Sequence, residues 1–405
     1  MVNGKEVSDR SNLAISVGKP NTVTYSKDGY FSESRRIVVV NAEDEHVYFS
    51  LRPELGKVEI TSVPASTVLI DGEQRGMTPL EVALSAVNHQ IVLSREGYRS
   101  VRENLVPSSK SVKKLNVELQ PELQARLAEQ KAQYKNALGM EFKLFFPSTF
   151  TMGAARDEKG QRANEFLRSI QLRKPFYVGL KEVTVAQLSK FRKKSSSDAK
   201  AQYPATSIDW LEAAEFCNWL SANEKLPPFY VIQGGKLIRV NVTADGYRLL
   251  SEAEWEWLAR KAGRRKQTKF VWGKGPTIPS LTGNIADESA KSVVRIFVPN
   301  YTDGYEKLAP VASFKADKNG LFDLVGNVSE WVHDYYSLVP PRDNALEVDP
   351  LGGASGTNHV LKGSNWRSGT LTELRPSFRE GAVRGRDDVG FRIARYIYGA
   401  AKYED

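Results

Sequence analysis

The chain has 405 residues, is 41% hydrophobic and 10% aromatic, and carries a formal net charge of +9, enough apolar content for a substantial core divided over two or three domains. Its single cysteine, Cys217, excludes an intrachain disulfide and a cysteine-rich zinc site, and His46, His89, His333 and His359 are dispersed without metal-ligand spacing. Basic runs such as Arg260–Lys266 alternate with acidic ones, which predicts a solvated surface, or a patch for anionic glycans, and no nucleic-acid partner.

From the first residue onward the chain contains an internal repeat. Ser26-Lys27-Asp28-Gly29-Tyr30 matches Ser94-Arg95-Glu96-Gly97-Tyr98, Leu51-Arg52-Pro53-Glu54 matches Leu119-Gln120-Pro121-Glu122, and Asn3-Gly4 matches Asp71-Gly72, all at an offset of 68 positions. In the second copy, alternating apolar residues in 58–61, 67–70, 90–93 and 114–119, separated by Asp-Gly and Gly-Tyr turns, predict short β-strands. Val63-Pro64-Ala65-Ser66, Asp71-Gly72, Gly76-Met77-Thr78-Pro79 and Glu96-Gly97-Tyr98 together resemble a PEGA domain. The resemblance implies a small β-sandwich-like module of bacterial surface and envelope proteins. The expected modules are 1–54, N-terminally incomplete, and 55–122. At this offset Met1 aligns with Leu69 inside a strand, so the expectation is a native start further upstream, where a signal peptide or anchor would supply any membrane association, with a divergent and shorter first copy as the alternative. No run of roughly 20 apolar residues is present to span a bilayer.

Residues 123–137 are rich in Glu, Leu, Gln, Ala, Arg and Lys without Gly or Pro, which predicts a linker helix. Further along the chain, Asp209 reads as an N-cap with Glu212 three positions on. Ala213, Phe216, Cys217 and Leu220 recur at helical spacing, which makes Cys217 a packed core thiol. Ser251-Glu252-Ala253-Glu254 reads as a capping box ahead of Trp255 and Leu258.

Three more stretches carry a second resemblance: Phe145–Gly153, Asp323-Leu324-Val325-Gly326-Asn327-Val328-Ser329-Glu330-Trp331, and Gly390-Phe391-Arg392-Ile393. With them, residues 138–405 resemble the formylglycine-generating, or sulfatase-modifying factor, family. The resemblance implies an α+β, C-type-lectin-like domain rich in long loops, so the whole chain is expected to be multidomain: two small all-β PEGA-like modules, a linker helix and this domain. It also implies two structural calcium sites. One takes the side chains of Asn284 and Asp303 with the Ile285 and Tyr305 carbonyls, and the other takes Asp323 and Glu330 with the Gly326 and Val328 carbonyls. Mixed carboxylate and carbonyl sets on bent loops suit calcium, although Asp and Asn also close turns without an ion.

Family catalysts carry a cysteine pair within the segment matching Lys362–Arg379. Here Ser368 stands near the first position and Thr372 or Glu373 near the second. Copper(I) selects thiolates, so no copper site and no enzyme activity of this kind are expected. An alternative nucleophile–base pair of Ser368 with His333 or His359 lacks any strained Gly-x-Ser-x-Gly turn. The equivalent of the substrate groove would be floored by Trp366, Arg367, Ser368, Arg375 and Arg379, either as a ligand surface or as loop ties to Glu373, Glu380, Asp387 or Asp388. The expected role is a non-catalytic binding, assembly or regulatory protein of the bacterial periplasm or cell surface with a protein partner. A glycan-binding adhesin is the alternative, and a formylglycine-generating oxidoreductase a weaker one.

Overall fold

The structure is a computed structural model and describes residues 1–7, 13, 15–41, 46–194, 198–340 and 345–397. The chain divides into one unit, Met1–Ala128, and a second that begins at Glu129. Residues 398–405 of the expected C-terminal domain lie outside the described residues.

Within the first unit, the second repeat folds as two facing sheets. One has Leu55–Val63 at its centre, antiparallel to Leu80–Ser85 and parallel to Lys113–Glu118. The other runs in the order Glu73–Met77, Thr67–Ile70, His89–Ser94, Val101–Leu105. Period-two alternation turns Val58, Ile60, Val68, Ile70, Ile91 and Leu93 into one apolar core. In the first repeat, Pro20–Tyr25 and Glu33–Val38 form a hairpin.

The two copies share hydrogen bonds at the same 68-residue offset. Glu54 N donates to Gly29 O and Glu122 N to Gly97 O, both at 2.8 Å. Thr22 N meets Asn3 Oδ1 at 2.8 Å, and Gln90 N meets Asp71 Oδ1 at 2.9 Å. Where the second copy ties Asp71 to His89 at 2.6 Å, the first ties Asn3 to Asn21 at 3.0 Å. Asn21 in turn donates to the Ser16 carbonyl at 2.8 Å, while the His89 ring lies 3.1 Å from both Ser85 O and Ser85 Oγ. The Ser85–His89–Asp71 alignment is therefore a turn-to-strand tie with an amide counterpart.

The expected linker helix is shorter than its composition suggested. Helix α1 covers Glu122–Glu129, and Gln133–Lys135 is instead an edge strand paired with Glu141–Phe145. Tyr134 explains the change: its ring stacks on Phe142 at 5.0 Å and meets Tyr177 edge-on at 4.7 Å, and that packing outweighs local helix propensity.

The second unit is mostly β, with α2 (Val185–Arg192), α3 (Trp210–Asn223) and α4 (Glu252–Arg260) among the described residues. A five-stranded sheet runs Gln133–Lys135, Glu141–Phe145, Phe176–Gly179, Ile393–Tyr396, Tyr247–Leu249, so the last strand pairs beside the first ones. A four-stranded sheet runs Arg379–Ala382, His359–Lys362, Ser329–Tyr335, Val389–Phe391. Arg392 sits at the switch between these sheets. Helix α2 begins with a Thr184/Gln187 capping box and α4 with the Ser251/Glu254 box. At α3, Asp209 makes no side-chain cap; its Oδ1 accepts Gly385 N at 2.7 Å and anchors a distant loop. Cys217 is fully buried in α3, where burial pushes its thiol pKa up.

Candidate functional site

The segment 362–379 leaves the central sheet at His359–Lys362 and returns to it at Arg379–Ala382, two neighbouring antiparallel strands. Its side chains are tied inward. Lys362 donates to Glu256 Oε2 at 2.9 Å with no exposure of its own. Arg375 forms a two-pronged pair with Glu165 at 2.6 and 2.7 Å and also donates to Ser377 Oγ and to the Gly160 carbonyl. Arg379 grips Glu252 at 2.7 and 2.8 Å and reaches the Ser337 carbonyl at 2.9 Å. Such forked arginine–carboxylate pairs fix geometry as well as charge.

This arrangement corrects the groove floor expected from the sequence. Trp366, Ser368 and Arg375 are buried and present no open ligand surface. Arg379 is 8% exposed and committed to Glu252. Only Arg367 is substantially open: its side chain is 44% exposed, stacks 4.0 Å from the Trp366 ring centroid and pairs with Asp387 at 2.6 Å. Of the loop ties considered, Asp387 is used by Arg367, whereas Arg375 and Arg379 reach glutamates from far earlier in the chain.

The hydroxyl of Ser368 accepts Asn365 N at 3.1 Å, and its carbonyl accepts Ala286 N at 3.1 Å. Glu373 closes a local turn by accepting Thr370 N and Oγ1 at 3.0 and 2.7 Å. His333 and His359 are buried beside Trp210 and each other, and desolvation lowers their pKa values to about 3 and about 4. Among the described residues neither ring hydrogen-bonds Ser368, so no nucleophile–base pair is assembled.

The two calcium positions differ in their fit. At the first, Asn284 is fully buried and its Oδ1 has no hydrogen-bond partner. Asp303 accepts Ile285 N at 2.9 Å and Tyr305 N at 2.8 Å, and Asp287 accepts Asp303 N and Ser289 N. Burial, with Asp287 as a like-charged neighbour, raises the Asp303 pKa to about 7. The orphaned Asn284 oxygen, with Asp287 and Asp303 tied to the same loop through Asp303 N and Ile285 N, is a set of hard oxygen donors that fits a hard cation, and Asp287 is additional to those expected from the sequence. Its place in the same Asn284–Asp287 run was the available signal. Gly326 is required here: its φ is +80°, and a Cβ would meet the Asn284 carbonyl at 1.9 Å.

At the second position the donor set expected from the sequence does not fit. Arg392 donates to both Glu330 oxygens, the closest contact being 2.8 Å, and Trp255 Nε1 takes Oε2 at 2.9 Å. The Glu330 carboxylate is thus already matched by a guanidinium. Beside it, Asp323 Oδ1 and Glu182 Oε1 have no partner, and burial with the neighbouring acids raises both carboxyls. Among the described residues no three His, Cys, Asp or Glu side chains converge as a metal-ligating group.

The sequence pattern of the sulfatase-modifying factor enzyme 1-like domain matches residues 144–397, and that of the PEGA domain matches 55–123. The chain is 27% identical over 194 residues to the chaperone protein LppX of Paenibacillus barcinonensis, covering 44% of this chain and 69% of that one. It is 30% identical over 202 residues to the serine/threonine-protein kinase Pkn1 of Chlamydia trachomatis serovar L2, covering 49% and 25%. With the formylglycine-generating enzyme of Thermomonospora curvata it shares 26% identity over 180 residues, 42% of this chain and 47% of the enzyme. The chain thus spans a quarter of the kinase and about half of the enzyme. In fold it resembles Treponema denticola variable protein 1, with a TM-score of 0.52 and 23% identity over 66% of this chain and 99% of that one. The chain belongs to the sulfatase-modifying factor enzyme 1-like family and, with Cys217 as its one cysteine, lacks that family's catalytic cysteine pair.

Proposed function

We propose that the chain is a non-catalytic binding or assembly protein of the bacterial envelope, whose C-terminal domain holds a protein partner. The observation that carries this reading is the state of the segment 362–379. It has no thiol, Ser368 is spent on a backbone hydrogen bond, and three buried cations lock the segment to glutamates elsewhere in the domain. Catalysis through this segment would need a soft-metal or nucleophilic group free to move toward a substrate. A rigid loop presenting an open Arg367 stacked on a buried Trp366 suits recognition instead. The N-terminal β-modules and the resemblance to a protein named as a chaperone support an accessory role, with the modules as spacer or anchor. Calcium at Asn284, Asp287 and Asp303 would brace the loop on which Ser368 rests, with the Ile285 and Tyr305 carbonyls completing the set.

The test is affinity capture from an envelope extract in calcium, with wild-type protein and with Arg367→Glu, which inverts the one open cation of the segment. A stoichiometric protein retained by the wild type and lost with the variant supports the reading. Enrichment of polysaccharide without protein, or a protein retained equally by both, overturns it.

A further inference from the structure

A cavity of about 270 Å³ borders the Arg379–Glu252 pair and is lined among others by Met152, Phe166, Asp334, Val339, Pro350 and Leu351. Val339 is 73% exposed, which puts it on the solvent side of the lining. We infer that this cavity is a binding site for a primary ammonium group on a short apolar stem, with Asp334 as its counter-ion.

Among the described residues every carboxylate in the lining except that of Asp334 is paired with at least one cation. Arg379 grips Glu252 through two bonds, Arg168 grips Glu347 through two, Lys362 and Arg260 share Glu256, and Arg375 takes Glu165. Asp334 has no ion pair among the described residues. It is only 2% exposed, one oxygen accepts Glu252 N at 2.7 Å, and the other makes no hydrogen bond among them. A carboxylate that deep is costly to keep charged without a partner. Desolvation, then the Glu252 carboxylate, accordingly raise its pKa to about 7, against the weaker pull of Arg168 and Arg379.

The remaining walls select the rest of the ligand. Met152, Phe166, Val339, Pro350 and Leu351 offer apolar surface for a chain of a few carbons. The volume lies just below the ~300–1,000 Å³ of ordinary ligand pockets, so it suits a short stem better than a folded or branched molecule. A neutral polyol would leave Asp334 unmatched. A carboxylate or phosphate would face Glu252, Glu256 and Asp334 together. The same ammonium chemistry is offered by a free alkylamine and by a lysine side chain.

The experiment is ligand-observed NMR titration of the full chain with n-butylammonium, with Nα-acetyl-lysine N-methylamide and with the neutral isostere 1-butanol. The ammonium probes are expected to bind and butanol to show no saturable binding. Asp334→Asn keeps an acceptor for Glu252 N and should weaken the ammonium probes by about 30-fold or more. Val339→Trp alters only an exposed side chain at the mouth and should block entry, which guards against Asp334→Asn failing to fold. Binding of butylammonium alone assigns the site to free amines, and binding of the lysine derivative at least as tightly assigns it to a lysine side chain. Absence of binding by both, binding of butanol as tightly as the amines, or an unchanged affinity in Asp334→Asn overturns the proposal.

Discussion

Arg375 offers the sharpest contrast between a ligand surface and a structural tie. Replacing it with Met keeps most of the stem and removes the guanidinium, leaving Glu165, itself 1% exposed, as a buried charge without its partner. Breaking a buried pair by removing one partner costs about 3–5 kcal/mol. The matched change Arg367→Met removes an exposed pair with Asp387, where the loss is about 0.2–1 kcal/mol. All seven tryptophans lie between residues 210 and 366, so their fluorescence during urea unfolding reports on the C-terminal unit alone. With a slope of about 3 kcal/mol per molar urea, Arg375→Met should lower the midpoint by about 1.3 M and Arg367→Met by no more than about 0.3 M. Adding Glu165→Gln to Arg375→Met should recover part of the loss, because the stranded charge is then gone. Equal, small shifts for both single variants would refute the claim that Arg375 holds the loop.

Calcium should stabilise the C-terminal unit by about 2.7 kcal/mol at a hundredfold excess over its dissociation constant. EDTA should reverse the gain and Asp287→Asn should reduce it; no shift in the unfolding midpoint would count against an ion at Asn284 and Asp303. His333 has a folded pKa lowered to about 3, so its contribution is complete above pH 6.5 and is lost as pH falls from there toward 3. Between pH 7 and 5 that loss is about 2 kcal/mol, and chemical denaturation at the two pH values should show the slope diminish in His333→Gln. In the first unit, His89→Asn should unfold near the wild-type temperature, since Asn21 already holds the matching turn in the first repeat, whereas His89→Ala should fall clearly below it. Equal losses in both variants would contradict the amide-counterpart reading.

The parts of the fold legible in the sequence are those fixed by near neighbours. The repeat shows because Asn3-Gly4 and Asp71-Gly72 demand the same left-handed turn, with φ of 49° and 78° in one copy and 53° and 87° in the other. Helix α4 shows because Ser251 and Glu254 are three residues apart and satisfy each other's backbone donors. The site was less legible because its partners are remote. Glu165 is 210 residues from Arg375, and Glu252 is 127 from Arg379. No local pattern says that Arg375 and Arg379 point inward while Arg367 stays open, and charged residues are exposed by default. Glu330 illustrates the same limit: the motif around it marks an acidic position, but the cation that meets it, Arg392, arrives from 62 residues downstream. Tyr134 misled in the other direction, since a helix-favouring composition was overruled by aromatic packing across a strand pair.

On the proposed reading, the thiol-free segment around Ser368 performs no cysteine-dependent oxidation. The most direct measurement loads the purified chain with copper(I) and incubates it in air with a cysteine-containing sulfatase peptide, tracking the peptide by mass spectrometry. A chain that has lost the reaction binds no stoichiometric copper(I) and leaves the peptide cysteine unconverted, as Cys217 lies fully buried. Time-dependent formation of formylglycine, abolished by Ser368→Ala, would contradict the account.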